Sequence, residues 1–446
     1  MRRPSARRAS GPSDFGTYIK ITHLLNDYST PASTYIQRLM ESHQRPILII
    51  GAGIAGLALA QGLRKKGIPF LVFERDISSD SRPQGWALTI HFSLQLLLDF
   101  LPVDIASRLH TTQIDPNVKH DKSHSVFLNL ESCSPKWSLP PTYGNRMRVA
   151  RGRLRTLLME GLEERILWGK KLHSFDIGCN QVTTSFEDGT VYTGELLVGV
   201  DGCHSTVRSL MYGPDLSQPK PIPACFLGTQ ALATPSQMKP LLALDKTLFQ
   251  GSHPSSPVWM WFSVMDRPDP TATAGGASFW RVQICLSWLS PVGNSDVPKD
   301  NEGRVRLMRE KSKDFHPTFR DIFLHILGDS HEPIVNVPLE FWWLPQDEKP
   351  STLQDRVFLA GDAAHTMPLY RGEGFNHALM DVHHLIKVVV SLLSEQKGQE
   401  NHMENYEDEI RSRGRRAALM CRDACLEVHQ LDKLGDHSVV RQKAFP

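Results

Sequence analysis

Three kinds of feature are scarce or missing in this sequence, and each absence excludes a class of protein. The 50 lysines and arginines nearly balance 48 aspartates and glutamates, and a net charge of +2 provides no strongly basic surface for nucleic acid. No run of about 18 apolar residues, the length that a membrane-spanning helix requires, is present. The seven cysteines are an odd number without a Cys-x-x-Cys pair, a usage typical of a reducing compartment. We therefore expect a cytoplasmic globular protein that neither binds nucleic acid nor spans a membrane.

Metal-binding and nucleophilic side-chain patterns are also missing. No Ser-His-Asp or Cys-His arrangement is evident, and the pair His383 and His384 shows no zinc-binding spacing with the cysteines. Cys421 and Cys425 lie four residues apart on a predicted helix and share one face. A disulfide or metal site there is an alternative, but we expect two buried or half-buried thiols and no metal.

The first of three glycine-containing segments predicts a dinucleotide site. An apolar strand at Ile47–Ile50 runs directly into Gly51, Gly53 and Gly56, which form Gly-x-Gly-x-x-Gly ahead of an apolar helix. In such a turn the first glycine permits the tight bend, the second lets the backbone approach a pyrophosphate, and the third allows close helix–strand packing. Glu74 ends a second apolar strand about 20 residues on, where a partner for ribose hydroxyls is expected. The alternative is a glycine-rich turn without a nucleotide, but strand, helix, second strand and acid together favour the nucleotide.

Two further segments follow much later in the chain. Asp201-Gly202 ends an apolar run and is followed by Ser205 and Arg208. The run before it, with an acidic turn at Glu187–Gly189, predicts a β-hairpin whose second strand runs from Glu195 to Val200. Gly361-Asp362 ends another short apolar strand and continues into Pro368 and the glycine-rich stretch that ends at Asn376.

With all three segments in this order, the chain resembles the FAD-dependent aromatic hydroxylases, single-component flavoprotein monooxygenases related to para-hydroxybenzoate and salicylate hydroxylases. The third segment is similar to that of fungal members in secondary metabolism, and the resemblance covers about residues 46–395. It implies that Asp362 contacts the ribityl chain of FAD and that Pro368 and the Gly372–Gly374 stretch lie against the isoalloxazine ring. The positions expected to bind FAD are Gly51, Gly53, Gly56, Glu74, Gly85, Ala87, Arg151, Asp201, Gly202, Gly361, Asp362, Pro368, Gly372, Gly374, Phe375 and Asn376.

The implied fold class is α/β, with a Rossmann-like FAD-binding domain similar to that of para-hydroxybenzoate hydroxylase. This domain is interleaved with a mainly antiparallel β-sheet substrate domain and followed by C-terminal helices. We expect a disordered N-terminal extension at 1–45, an FAD-binding domain at 46–215 and 351–395, a substrate domain at 216–350, and a C-terminal helical segment at 396–446. The basic, serine-containing N-terminus leaves organelle targeting open beside a plain basic tail.

The middle of the chain predicts a sheet that covers the flavin. Period-two alternation places Trp259 and Trp261 on one face of a half-buried strand, and Glu302–Leu327 reads as one helix. Arg153 and Arg155 are expected in solvent, and so is the basic cluster Arg411–Arg416.

The implied chemistry uses FAD, NAD(P)H and O₂. In the family, reduced FAD forms a C4a-hydroperoxide that inserts one oxygen atom into a small molecule, here an aromatic, polyketide-like or other apolar substrate. Arg208 and Tyr212 are the candidate catalytic residues, beside His204 and Tyr370 as possible pocket residues. A flavin-dependent reductase or dehydrogenase, a halogenase and a non-catalytic FAD-binding regulator are the alternatives, and neither NADH nor NADPH is favoured.

Overall fold

The structure is a computed structural model. It describes residues 31–42, 44–81, 85–115, 125–139, 146–268, 279–292, 296–329, 332–345, 356–393 and 402–442. The strands are β1 Ile47–Ile50, β2 Phe70–Phe73, β3 Ala87–Ile90, β4 Ser125–Asn129, β5 Pro135–Leu139, β6 Met147–Ala150, β7 Ile166–Leu167, β8 Leu172–Gly178, β9 Gln181–Phe186, β10 Val191–Gly194, β11 Leu196–Gly199, β12 Lys220–Pro221, β13 Ala224–Ala233, β14 Leu248–Ser252, β15 Val258–Asp266, β16 Trp280–Leu289, β17 Val335–Asn336, β18 Glu340–Phe341 and β19 Val357–Leu359. The helices are α1 Pro31–Ser42, α2 Ile54–Lys66, α3 Leu94–Phe100, α4 Val103–Ala106, α5 Arg151–Met159, α6 Thr206–Ser217, α7 Pro235–Leu244, α8 Asn301–Lys311, α9 Pro317–Asp321, α10 Leu327–Asp329, α11 Gly374–Leu393 and α12 His402–Glu427.

A parallel sheet with the strand order β19-β11-β1-β2-β7 brings the three glycine-containing segments together. The four residues of β1 are all buried, as expected for a central parallel strand covered on both faces. β11 pairs with β1 on one side and with β19 on the other, and all three strands run in the same direction. Their carboxyl ends therefore lie at one edge of the sheet, and the segments beginning at Gly51, Val200 and Ala360 follow there.

The hairpin prediction was right about the turn and wrong about one strand. β9 pairs antiparallel with β10, Val191–Gly194, across the turn at Glu187–Gly189. The run from Leu196 to Gly199 instead forms β11 of the parallel sheet. The two strands are separated only by Glu195, so the sequence pattern did not show that the chain changes sheet at this point.

A second, seven-stranded sheet has the order β17-β13-β16-β15-β14-β4-β5 and is antiparallel except between β14 and β4. One face of this sheet is apolar and packs against the segment from α8 to α10. The helix predicted at Glu302–Leu327 is interrupted: α8 ends at Lys311, and α9 begins at Pro317 and runs into a π-helical turn at Ile322–Ile326. Proline lacks the N–H that a helix interior needs, so Pro317 begins a helix instead of continuing one.

The helices α11 and α12 pack on each other and on the parallel sheet through a buried group of charges. The Asp381 carboxylate on α11 accepts hydrogen bonds from the backbone N–H of Gly361 at 2.7 Å and from His365 Nε2 at 2.6 Å. Its other oxygen accepts from Arg413 on α12, which also donates to Glu409. The expectation that the cluster Arg411–Arg416 is solvated was therefore wrong for Arg411 and Arg413, which are buried, whereas Arg416 is exposed. No helix in the described part of the chain is long and apolar enough to cross a membrane.

The N-terminal prediction was wrong for the residues next to β1. Pro31–Ser42 forms α1, Leu39 is buried, and the Arg165 guanidinium lies 4.6 Å from the centre of the Tyr35 ring. These contacts order a segment that composition alone made look disordered. Residues 1–30, on which the targeting hypothesis depends, lie outside the described residues.

Removing the charge of Asp381 should destabilise the fold. Burial alone would raise the pKa of this carboxyl, but His365 and Arg413 outweigh it and lower the pKa to about 2. We expect Asp381→Asn to lower the free energy of unfolding by about 3–5 kcal/mol, because it leaves Arg413 buried with a broken ion pair. The measurement is chemical unfolding, with Asp408→Asn, an exposed carboxylate on α12, as the control.

The same carboxylate should make stability depend on pH in the acid range. Its folded pKa of about 2 lies below its ordinary value of 3.8, so its contribution is complete above about pH 4 and is lost as the pH falls through 2. The loss of stability between these pH values should be shallower in Asp381→Asn than in the wild type. Equal slopes would contradict the assignment.

Candidate functional site

The first glycine segment has both the close contacts and the open space that a dinucleotide loop needs. Gly51 has φ of +114°, and a Cβ there would lie 2.6 Å from the Val200 carbonyl oxygen. A Cβ on Gly56 would lie 2.1 Å from the Gly51 oxygen, so both positions exclude a side chain. A Cβ on Gly53, in contrast, would meet no atom of the described residues within 4 Å. The backbone of Gly53 and the start of α2 therefore leave room for a phosphate at a helix N-terminus.

Two opposite charges fix the backbone of this loop at Ala52. The Glu74 carboxylate accepts from the N–H of Ala52 at 2.8 Å and from that of Asp76 at 3.1 Å. Arg155 donates to the Ala52 carbonyl at 3.1 Å and to the Ser79 carbonyl at 3.0 Å. Arg155 is buried, so its expected exposure to solvent was wrong. The predicted ribose contact of Glu74 stays a prediction, and the structure shows in addition that Glu74 sets the loop.

The second segment is arranged as an N-terminal cap. One oxygen of Asp201 accepts from Ser205 Oγ at 2.5 Å, and the other accepts from the N–H groups of Thr206 and Val207 at 2.6 and 3.2 Å. Burial raises the pKa of Asp201, opposed by these hydrogen bonds. Gly202 has φ of +89°, and a Cβ there would meet nothing described within 4 Å. The carboxylate thus holds the start of α6, and the adjacent glycine keeps a backbone surface open.

Arg208, a candidate catalytic residue, is a brace between the second and third segments. Its Nε donates to the Ser217 carbonyl at 2.9 Å and one terminal nitrogen donates to the Ala363 carbonyl at 3.1 Å. The other terminal nitrogen donates to the carbonyl of Cys203. The guanidinium carbon lies 4.4 Å from the centre of the Trp342 ring. This geometry favours a bracing function over contact with a substrate.

The other pocket candidates near α6 lie against framework residues. The Tyr212 ring is 6.0 Å from the Trp342 ring in a T-shaped arrangement, and burial raises its pKa while a hydrogen bond from Arg411 lowers it. His204 is exposed, with Nε2 3.6 Å from a Glu340 carboxylate oxygen. The catalytic role of Tyr212 stays a prediction without a supporting contact among the described residues.

The third segment lies beside the predicted contacts from the first half of the chain. Asp362 is exposed, but the protein packed around its carboxyl raises the pKa of that group against the opposing charges of His365 and Arg151. Gly85 approaches the same arginine, since a Cβ there would lie 3.6 Å from a guanidinium nitrogen. Ala87 pairs with the residue before Arg151 across β3 and β6. The structure thus brings Gly85, Ala87, Arg151 and Asp362 into one neighbourhood.

Asn376 joins the start of α11 to β3. Its side-chain N–H donates to the Thr89 carbonyl at 2.9 Å, and its oxygen accepts from the His91 N–H at 2.9 Å and the Ser93 hydroxyl at 2.8 Å. Gly372 has φ of +64° and open space at its Cβ position. The other predicted positions of this segment follow the same loop into the first turn of α11, namely Pro368, Gly374 and Phe375.

The inner face of the antiparallel sheet, defined here by Phe226, Gln230, Trp259, Trp261, Ser263, Gln283, Cys285 and Ser287, is the face opposite the apolar one. Predicted cofactor-binding residues contact this sheet: the Gln230 amide of the inner face donates to the Gly85 carbonyl at 3.3 Å, and the Ala87 N–H points to Met265 Sδ of β15 at 3.2 Å. The Trp259 and Trp261 rings are 6.2 Å apart. Aromatic and polar side chains therefore lie next to the loops at which the sequence predicts the flavin.

Arg148 links this face to β3 and was missed by sequence reasoning. It is buried and donates to Thr89 Oγ1 and to Ser263 Oγ, both at 2.9 Å, with its guanidinium 5.8 Å from the Trp261 ring centre. The available signal was the alternation of residues along β15 and β16, the two strands that carry most of the inner face.

The two C-terminal cysteines lie inside the fold. Cys421 and Cys425 are buried free thiols. The described residues contain no group of three or more histidine, cysteine, aspartate and glutamate side chains arranged to hold a metal ion.

These features fit FAD in particular. The open space at Gly53 and the α2 N-terminus suit the pyrophosphate, the open carboxylate of Asp362 suits a hydroxyl-bearing chain, and Gly202 and Gly372 leave backbone accessible. Such loops at the carboxyl edge of a parallel sheet match the arrangement that the sequence predicts for the FAD-binding domain.

Comparison with known proteins identifies the family. Residues 44–250 and 342–420 match the family described as "FAD binding domain". The sequence is 38% identical over 351 residues to the FAD-dependent monooxygenase dbaB of Emericella nidulans, covering 78% of this chain and 87% of that protein. It is 35% identical over 419 residues to a "Probable FAD-dependent monooxygenase" of Arthroderma benhamiae, covering 90% and 96%. The chain belongs to the family of FAD-dependent monooxygenases that carry this domain.

Solved structures support the fold. The 2,6-dihydroxypyridine-3-hydroxylase of Arthrobacter nicotinovorans superposes with a TM-score of 0.67 at 17% identity, covering 89% of this chain and 96% of that one. Klebsiella pneumoniae HpxO, solved with FAD and uric acid, gives a TM-score of 0.65 at 17% identity, covering 87% and 91%. The predicted fold class and family are confirmed, the protein is an FAD-dependent oxidoreductase, and the alternative of a non-catalytic regulator is set aside.

Removing the Asp362 carboxylate should weaken the binding of FAD. A charge-assisted hydrogen bond contributes about 1.5–3 kcal/mol, so Asp362→Ala should raise the Kd for FAD about 10- to 150-fold. The measurement is titration of apoprotein by flavin fluorescence, with the exposed Asp176→Ala as the control. Full FAD occupancy in purified Asp362→Ala would contradict the assigned role.

Arg208→Lys separates a brace from a catalytic group. Lysine keeps the charge but not the planar fork, so buried carbonyls lose their donors and we expect a loss of about 2–4 kcal/mol in unfolding free energy. Thermal unfolding measures this loss, and Arg306→Lys on the exposed surface of α8 is the control. A variant with unchanged stability and abolished turnover would instead restore the catalytic interpretation.

Proposed function

We propose that this protein is a monooxygenase that uses NAD(P)H and O₂ to insert one oxygen atom into an aromatic, polyketide-like or other apolar small molecule, with hydroxylation as the reaction. The chemistry that FAD supplies when bound is the transfer of reducing equivalents from a nicotinamide to O₂. The observation that carries the proposal is the contact between the cofactor loops and the inner face. The chain's own task is then to bind, orient and keep water out.

The inner face suits a flat apolar molecule. Trp261 is half-buried and offers its ring on this face, which Gln230 joins to the loop at Gly85, while the rings of Phe226 and Trp259 are fully buried. Few polar groups of this face are open, since Trp259 Nε1 donates to Gln250 at 3.1 Å and Ser263 pairs with Gln283 at 3.3 Å. A site lined by rings with few convergent polar groups is typical of a pocket for a small aromatic ligand.

The relatives add support for the oxygenase chemistry. The two curated proteins named above are FAD-dependent monooxygenases of fungi. From the resemblance of the third glycine segment we favour a role in secondary metabolism, and we retain a cytoplasmic location as a proposal. We retain the proposed division into an FAD-binding domain at 46–215 and 351–395, a substrate domain at 216–350 and a C-terminal segment at 396–446.

Nicotinamide is proposed to bind only in passing. The sequence has no second Gly-x-Gly-x-x-Gly turn after Gly56 that would form a separate dinucleotide domain. The hydride donor would then approach across the FAD-binding domain. This arrangement does not favour NADH over NADPH.

The first experiment is the visible absorbance of the purified protein under anaerobic NADH and NADPH, followed by air. We expect bleaching of the flavin band by at least one nicotinamide, its return with oxygen, and release of peroxide when no substrate is present. Heat-released flavin in the same sample controls for free FAD.

The alternatives predict different results. A reductase or dehydrogenase would be bleached but would pass its electrons to an added organic acceptor in preference to O₂. Bound flavin that neither nicotinamide bleaches, with or without aromatic substrates, would contradict the proposal and favour a halogenase-like enzyme supplied by a separate reductase.

A further inference from the structure

A buried chain of three polar side chains connects three separate elements next to the cofactor loop. Tyr370 lies in the third glycine segment, Ser287 on β16, and His429 directly after α12. Ser287 Oγ is 2.6 Å from the Tyr370 hydroxyl and 2.8 Å from His429 Nε2. Ser287 is 0% exposed, Tyr370 2% and His429 1%, so these hydrogen bonds are shielded from water.

The hydrogen bonds in this chain can run in only one direction. His429 Nδ1 is 2.6 Å from the carbonyl oxygen of Cys425, and because a carbonyl only accepts, Nδ1 carries the proton. Burial lowers the pKa of His429 to about 4, so the ring is neutral and Nε2 is an acceptor. Ser287 must then donate its only hydroxyl proton to His429, and it accepts from Tyr370. The orientation of the Tyr370 hydroxyl is therefore set from the C-terminal segment.

The segment 428–442 also holds Arg371, the residue after Tyr370. Arg371 donates to the carbonyl of Gln442 at 2.8 Å and to the carbonyl of Val439. The N–H of Val439 donates in turn to Glu427 at the end of α12, at 2.7 Å. Two consecutive residues of the cofactor loop are thus held by the segment 428–442.

The family match does not account for these contacts. The matched ranges are 44–250 and 342–420, which leave out both Ser287 and His429. The hydrogen bonds from Tyr370 through Ser287 to His429 therefore join a matched cofactor loop to two unmatched parts of this protein.

We propose that the segment 428–442 is a working part of the cofactor site and that His429 is a positioning residue, acting through Ser287 and Tyr370 on the loop from Pro368 to Gly374. The proposal rests on the FAD site of the proposed function. A fixed Tyr370 hydroxyl holds the loop in one conformation before FAD binds, so less ordering remains to be done on binding. His429 itself does not touch the cofactor or the substrate.

The test combines three conservative variants, His429→Phe, Ser287→Ala and Tyr370→Phe. Each should raise the Kd for FAD about 3- to 10-fold, as expected for the loss of one neutral hydrogen bond, and should alter the visible spectrum of the bound flavin. The double variant His429→Phe with Tyr370→Phe should be no worse than the weaker-binding single variant, since all three side chains act as one unit. Ser287→Thr, which keeps the hydroxyl, should restore the wild-type Kd.

A matched control separates positioning from simple anchoring of the segment. Ser252 is another buried serine, on β14, and its hydroxyl donates to the carbonyl of Val428 next to His429. Ser252→Ala should lower the Tm as much as Ser287→Ala while leaving the flavin spectrum and the Kd for FAD unchanged.

Four outcomes would overturn the inference. Wild-type Kd and spectrum in Ser287→Ala and His429→Phe would show that the chain does not reach the loop. Multiplying losses in the double variant, or equal effects in Ser252→Ala, would show packing alone. Wild-type protein that failed to bind FAD would overturn the cofactor site itself, and the inference with it, whereas the other outcomes leave that site intact.

Discussion

The arrangement of this protein depends on buried carboxylates that accept backbone N–H groups. Asp381 receives the N–H of Gly361 and so fixes the start of the third glycine segment against α11. Glu74 does the same for Ala52 in the first segment, and Asp201 for the start of α6 in the second. Each cofactor loop therefore has one carboxylate that sets its backbone. Charges this well buried are tolerated only when all their partners are in place, so loop geometry and folding are coupled.

This coupling explains why arginines, rather than apolar side chains, join the loops to the rest of the fold. Arg155 contacts the first loop and Arg413 reaches Asp381, while Arg208 spans the second and third. A guanidinium offers five donors in a fixed plane and can satisfy carbonyls or carboxylates from several elements at once. The open sides of the loops, at Gly53, Gly202 and Gly372, are left to glycines. Each loop is held on one side by rigid hydrogen-bond donors and leaves its backbone uncovered on the other. Its surface is therefore ordered before a ligand binds.

What the sequence could predict follows from how local each signal is. The glycine turn from Gly51 to Gly56 involves only one strand, one turn and one helix that are adjacent in sequence. Its expected close contacts are found in the structure. Asp381, Arg155 and Arg413 carry no such signal, because Arg155 meets Ala52 across 103 positions and Arg413 meets Asp381 across 32. A charged side chain is expected in solvent unless the sequence shows a partner for it, and this expectation was wrong for Arg155 and Arg413. The helix break at Pro317 could have been predicted from the local sequence, but the apolar stripe that continues on both sides of it suggested a single helix.

The inner face of the antiparallel sheet limits what can bind there. Its polar groups mostly have hydrogen-bond partners in the protein: Trp259 pairs with Gln250, and Ser263 pairs with Arg148 and Gln283. An apolar ring can enter beside such a face without stranding a buried donor, whereas a ligand that competed for these groups would leave their present partners unpaired, at about 1–3 kcal/mol each. Discrimination would then come mainly from the shape between the rings and the cofactor loops. The hydrogen-bonded backing of the face keeps this shape fixed, which is what the proposed flat substrate would require.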